Sequence, residues 1–143
     1  MTTGNTAIAY LKNDEDESIV ITGLALGVST GSFTDVMDIT LVRNPTTGSI
    51  VNNAVAPDMF QNRNFGSSAL FTNVTEYKGA DGDTFTDGAD IATFFQNGTG
   101  RFFANLGWEV PKGKSIGVRI NPHGTTEVYC ALIGHLKDPK EEA

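Results

Sequence analysis

The apolar residues of this chain recur at every second position, and only a pleated β-strand places such residues on one face. An α-helix would need a spacing of three or four residues. The clearest runs are Met37, Ile39 and Leu41, and Ile116, Val118 and Ile120. This alternation predicts a chain built from strands.

Clusters of Gly, Pro, Asn and Asp separate the alternating runs, and these residue types favour turns through positive φ or a fixed φ. Residues 87–96 fit either a short helical turn or a strand, and residues 56–68 look like a long loop across one end. The pattern predicts an all-β fold, a single-domain jelly-roll-like antiparallel β-sandwich of about eight strands over residues 1–137, with a charged tail at 138–143. The predicted strands are 6–12, 18–28, 36–43, 49–55, 69–78, 101–110, 116–120 and 127–136.

The last predicted strand is apolar on nearly both faces. Val128, Cys130, Leu132 and Leu136 share one face, and Tyr129, Ala131, Ile133 and His135 share the other. A strand that buries both faces lies in the middle of a sheet or at an interface. We therefore expect residues 127–136 to be central in their sheet or to contact another subunit.

Composition narrows the possible partners. The chain has 143 residues and a formal net charge of −7, with 39% hydrophobic and 19% charged residues. Binding to duplex DNA depends on Lys and Arg that neutralise phosphates, so this acidic balance disfavours a nucleic-acid partner. No apolar run is long enough to cross a bilayer, and no signal peptide is visible, so we expect no membrane partner and synthesis in a cytoplasm.

Few residues are suited to catalysis. The two histidines are His123, in a predicted Pro-His-Gly turn, and His135, on the last strand. Cys130, the single cysteine, has apolar neighbours, which are typical of a small buried side chain and not of a reactive thiolate. The sequence therefore predicts no enzyme, no catalytic residues and no cofactor. A small cupin-like metal site that uses both histidines is the weakest alternative, because the usual ligand set needs a third group.

One acidic loop invites comparison with a calcium site. Asp81, Asp83, Asp87 and Asp90 lie within ten residues, and Ca²⁺ prefers such oxygen ligands. The spacing fails the EF-hand pattern, which needs a glycine at loop position 6 and a glutamate at position 12. Two interpretations remain, a solvated acidic turn and a loop that binds a cation, and we predict no metal site.

Aromatic residues concentrate in one part of the chain. Phe94-Phe95 and Phe102-Phe103 are adjacent pairs, and Trp108 follows closely. Neighbouring residues of a strand point to opposite faces, so each pair places one ring inside and one outside. Either a loop of the same chain covers the outer ring, or it contacts another subunit. The candidate contact residues are Phe94, Phe95, Phe102, Phe103 and Trp108, together with Asn62, Arg63, Asn64 and Phe65 of the long loop.

Four segments resemble a known family. They are Asn44-Pro45-Thr46-Thr47-Gly48, residues 62–68, residues 111–118 and the final strand from Thr126 to Leu136. In overall pattern they resemble the jelly-roll decoration, or cement, proteins of tailed bacteriophages. The resemblance implies a homotrimer, or a dimer, that clamps neighbouring major capsid subunits and has no catalytic residues.

The sequence thus predicts a virion structural protein that is made in the bacterial host cytoplasm and lies on the capsid surface. Its expected partners are the major capsid protein and further copies of itself. The alternative is a carbohydrate- or receptor-binding module of a phage fibre or baseplate, in which Trp108 or phenylalanine rings stack on sugars.

Overall fold

A computed structural model describes residues 4–33, 36–52, 74–97 and 99–137. Eight strands lie in these residues, and none of the described residues is helical. The strands are β1 (Thr6–Asn13), β2 (Ile19–Phe33), β3 (Met37–Arg43), β4 (Val74–Lys78), β5 (Ala89–Gln96), β6 (Gly100–Val110), β7 (Ser115–Asn121) and β8 (Gly124–Leu136). The prediction of an all-β sandwich is confirmed.

The strands form two antiparallel sheets that pack face to face. One has five described strands in the order β4-β1-β7-β3-β5, and the other has three in the order β6-β2-β8. The chain crosses between the sheets from β1 to β2, from β2 to β3, from β5 to β6, from β6 to β7 and from β7 to β8. Most strands that are consecutive along the chain therefore lie in different layers, whereas β3, β4 and β5 share the five-stranded sheet.

The core lies between the sheets, and the period-two residues fill it. Met37, Ile39 and Leu41 of β3 are fully buried, as are Val118 and Ile120 of β7. From the other sheet, β2 contributes Ile19, Ile21, Leu24, Leu26 and Val28 to the same cluster. The alternation thus correctly predicted which side of β3 and of β7 is internal.

Three details differ from the predictions, settle an open choice or leave one open. Residues 49–52 form a turn and not the start of a strand, because Gly48 has a φ of 139° and the chain folds back to bury Ile50. The ambiguous stretch 87–96 forms β5 from Ala89 onward.

The position of β8 is the third detail. Among the described strands β2 lies between β6 and β8, and the expectation that β8 is central in its sheet or contacts another subunit stays a prediction. One face of β8 packs on the core through Val128, Cys130, Leu132 and Leu136, as predicted. Its other face is the outer side of the sheet, and that side carries the exposed Tyr129.

Some predictions concern residues outside the described part of the chain. These are the long loop at 56–68, which includes Asn62, Arg63, Asn64 and Phe65, the first part of the strand at 69–78, the last part of the strand at 49–55, and the tail at 138–143.

Candidate contact surfaces

The two phenylalanine pairs are split by the pleat as predicted. Phe94 and Phe102 point inward, and their ring centroids lie 5.4 Å apart with the planes tilted by 51°. They join β5 of one sheet to β6 of the other and pack on the core. Phe95 and Phe103 point outward and are 62% and 57% exposed. Only these two of the four rings are available to a partner.

Trp108 takes a different position from the exposed rings. It lies on the inward side of β6, opposite Ile21 of β2, and packs partly buried against the core. A cleft beside it is lined by Arg43, Ile91 and Lys114. Trp108 therefore contributes to the interior and does not form an exposed platform.

The outer side of the three-stranded sheet, which we call the open face, is apolar in its middle. Gly23, Ala25 and Gly27 occupy alternate positions on the central strand β2, with Phe103 of β6 on one side and Ala131 and Tyr129 of β8 on the other. The Phe103 ring lies over Gly23, where an added Cβ would meet it at 2.9 Å. Tyr129 is 61% exposed. The open face is thus a trough of small residues between two exposed rings.

Sequence reasoning missed this trough. Its signal is visible in the printed sequence as Gly23, Ala25 and Gly27, small residues at the outward positions of a strand whose inward positions are Leu24 and Leu26. Large apolar residues give the stronger signal in a sequence, because burial of large side chains dominates the free energy of folding.

The outer side of the five-stranded sheet is largely covered over β1 and β7, and we call this part the covered face. Ala7, Tyr10 and Ile50 form a second buried cluster, against which Tyr77 and Phe85 pack. The rings of Tyr10 and Tyr77 are stacked with centroids 5.8 Å apart. Phe85 lies so close over Gly117 that a Cβ there would meet the ring at 2.2 Å. Burial raises the pKa of Tyr10.

The acidic loop holds this cover in place. The backbone N–H groups of Thr46 and Thr47 donate to Asp87 at 2.7 and 2.9 Å, and the Thr46 hydroxyl also donates to it. These hydrogen bonds to the charged form lower the pKa of Asp87 to about 2. Asp83 accepts hydrogen bonds from the Ser49 hydroxyl and the Ala80 N–H.

The fourth acidic residue of that loop points elsewhere. Asp90 pairs with Arg119 at 2.8 Å. The carboxylates of Asp83, Asp87 and Asp90 are thus held by neighbouring groups of the protein, and the described residues contain no group of three or more His, Cys, Asp or Glu arranged to hold a metal ion. The choice between a solvated acidic turn and a loop that binds a cation stays a prediction.

The remaining part of the outer side of the five-stranded sheet is polar and carries Phe95. Phe95 lies opposite Asp38 of β3, and the Asp38 carboxylate lies 3.2 Å from Nε2 of His123. His123 has a φ of 53° in the predicted turn between β7 and β8. Phe95 is thus an exposed ring beside a partly exposed Asp–His pair.

Three further titratable side chains are Cys130, Glu76 and His135. Burial raises the pKa of Cys130 to about 12, so its thiol stays protonated at neutral pH. Cys130 and Glu76 both line a cleft between β1, β4 and the three-stranded sheet. Burial also raises the pKa of Glu76. His135 lies on the outward side of β8, in register with Val20 of β2.

The described residues contain no helix of the length and hydropathy that a membrane span needs. No protein-family model matches the chain, and no curated protein and no solved structure matches it at a significant level.

Proposed function

We propose that this chain is a virion structural protein of a tailed bacteriophage, a capsid decoration protein that binds the head surface and stabilises contacts between major capsid subunits. It is made in the bacterial cytoplasm and works on the capsid. The observation that supports a contact role is the exposure of Phe95 and Phe103, one on each outer side of the sandwich. Exposed rings on a folded sheet are typical of protein interfaces.

The resemblance of the turns and the last strand to phage decoration proteins supports the choice of the capsid as partner. A shell offers many identical sites, so a modest contact at each site adds up over the particle. The net charge of −7 would keep decorated particles apart by mutual repulsion.

Phe95 is the ring that we assign to the capsid contact. It stands on a polar surface with Asp38, His123 and the Arg119–Asp90 ion pair close by. An apolar anchor with a polar surround is the usual composition of a specific interface. The five-stranded sheet would therefore face the head.

The test is co-sedimentation with heads assembled from the major capsid protein of the virus that carries this gene. The wild-type chain should pellet with the heads and raise their thermal stability. Phe95→Asp should weaken binding by about tenfold or more, because it charges a buried contact. Phe103→Asp, an equally exposed ring on the other sheet, is the matched control for head contact. No pelleting at chain concentrations of about 100 µM would refute the proposal.

A carbohydrate-binding module is the second candidate, and one observation favours it. Phe103 and Tyr129 stand on a flat sheet, and the Tyr129 hydroxyl donates to the exposed Glu127, so stacking and hydroxyl-binding groups lie together. The inward position of Trp108 removes the ring on which this alternative mainly depended. Specific hits on a glycan array, lost in Tyr129→Ala, would support it over the capsid proposal.

A further inference from the structure

The described part of the open face, on β6, β2 and β8, carries charges at its four corners. At one end of the three-stranded sheet, Arg101 lies on β6 and Glu127 on β8. At the other end, Glu109 lies on β6, and Lys137 directly follows β8. Lys137 reaches across the sheet to Glu109, with Nζ and Oε1 2.9 Å apart. The signs therefore alternate around these four positions, while the residues between them are small or apolar with the exception of Asn105 on β6.

This alternation makes the open face complementary to itself. When a sheet is turned over about an axis that runs along its central strand, each edge strand comes to lie over the opposite edge strand. The Arg101 corner then meets a Glu127 corner, and the Glu109 corner meets a Lys137 corner. Each charged corner thus lies opposite a corner of the opposite sign, and each pairing occurs twice because the axis is twofold.

The shapes match under the same operation. Ala25 is in register with Phe103 on one side and Ala131 on the other, so one row across the sheet reads large, small, small. The Phe103 ring leans from this row over Gly23, close to the proposed axis, so turning the face over brings it towards the Phe103 ring of the second copy. The next row contains Arg101, Gly27 and Tyr129, and the same operation places Arg101 over the Tyr129 ring, as in a cation–π contact.

The central strand leaves room for these groups. Nothing lies within 4 Å of the position that a Cβ of Gly27 would occupy. Among the described residues Arg101 has no carboxylate within ion-pair distance, although it is exposed in a chain with net charge −7. A second copy would supply both the ring and the carboxylate that Arg101 lacks.

We propose that two copies of this chain pack through their open faces, about a twofold axis along β2, with Arg101 of each copy on Tyr129 and Glu127 of the other. Sheets stack about 10 Å apart in such a packing. The interface builds on the contact function proposed above, but it needs no capsid. Self-association and head binding can therefore fail separately.

Sedimentation velocity from roughly 1 µM to 1 mM measures the association. The wild-type chain should form a dimer whose dissociation constant rises with salt, because the corners are ionic. Phe103→Asp should raise that constant by at least about tenfold. Phe95→Asp, the matched ring on the other sheet, should leave it unchanged. Far-UV circular dichroism confirms that each variant is folded.

Charge exchange tests the orientation. Arg101→Glu should weaken the dimer by about tenfold, and adding Glu127→Arg should restore most of the loss, since the same pair is then reversed. A monomer at every concentration, a trimer, insensitivity to Phe103→Asp, or no restoration by the double exchange would overturn the proposal. A monomeric Phe103→Asp variant that still binds heads would leave the capsid proposal intact.

Discussion

The covered face and the open face are both built on the alternation of inward and outward residues, but the surroundings of Gly117 on the first differ from those of Gly27 on the second. On the covered face, the space above Gly117 is filled by Phe85, whose ring atoms come within 2.2 Å of a hypothetical Cβ. On the open face, the space above Gly27 is empty out to 4 Å. The missing side chain of Gly117 makes room for the chain's own Phe85 ring, as that of Gly23 does for Phe103, whereas the missing side chain of Gly27 leaves room for a partner.

The difference comes from the segments that flank the strands and not from the strands themselves. Ile50 and Phe85 lie in turn or irregular segments and fold over β1 and β7. A face covered by its own chain contributes to stability, whereas an uncovered apolar face contributes to association. If the two faces divide these roles, substitutions on the covered face should change stability more than substitutions on the open face.

The largest effect on the free energy of unfolding should come from the phenylalanine pair on β6. Phe102→Ala removes a core ring that contacts Phe94, so we expect a loss of about 3 kcal/mol in the free energy of unfolding. Phe103→Ala removes a ring on the open face and should change it by about 0.5 kcal/mol or less. Urea unfolding of the two variants measures the contrast. Equal losses would mean that the open face stabilises the monomer.

A smaller loss should follow from crowding the covered face. Gly117→Ala forces the Phe85 ring away from the sheet, and overpacking of this kind costs about 2 kcal/mol. Gly107→Ala is the matched control, because nothing lies within 4 Å of its Cβ position. Thermal unfolding should separate the two variants clearly. If Gly117→Ala were as stable as Gly107→Ala, Phe85 would not be a tight cover.

The smallest effect on stability should come from Asp87, whose carboxylate holds the segment that folds over the covered face. Asp87→Asn weakens the hydrogen bonds from Thr46 and Thr47, and the melting temperature should fall by a few degrees at pH 7.

The pH dependence of the Asp87 contribution has a definite sign. The pKa of Asp87 is lowered to about 2 in the folded protein from 3.8, so the charged form is favoured by folding. Its contribution is complete above about pH 4 and is lost as the pH falls towards 2. The difference between wild type and Asp87→Asn should therefore shrink over that range, and a constant difference would contradict the assignment.

The strands and the inward residues could be predicted from the sequence because burial on one side of a strand imposes a period of two. The same rule correctly placed Phe94 and Phe95 on opposite faces, although it did not say which of them is inside. For β8, apolar residues on both sides predict either a central strand or a contact with another subunit, and the rule does not choose between them. Burial in a monomer and burial against a partner leave the same pattern in a sequence.

The segments that fold over the covered face could not be predicted, because no periodic pattern marks a turn residue that packs onto a sheet. Ile50 was assigned to a strand, and the role of Asp87 depends on the Thr46 and Thr47 N–H groups, which are some 40 residues away along the chain. The corner charges were missed for a related reason. Arg101 and Glu127 become neighbours in one surface only through the registers of β6 and β8 with β2.

The raised pKa of Cys130 has a practical consequence. This thiol is the chain's single cysteine, and its side chain lies on the core side of β8. Alkylating reagents attack the thiolate, which is scarce at a pKa of about 12. Iodoacetamide should therefore label this partly buried side chain slowly at neutral pH, and faster when β8 separates from the opposite layer. Comparing the labelling rates of the folded and the unfolded chain would measure this protection without any engineered probe.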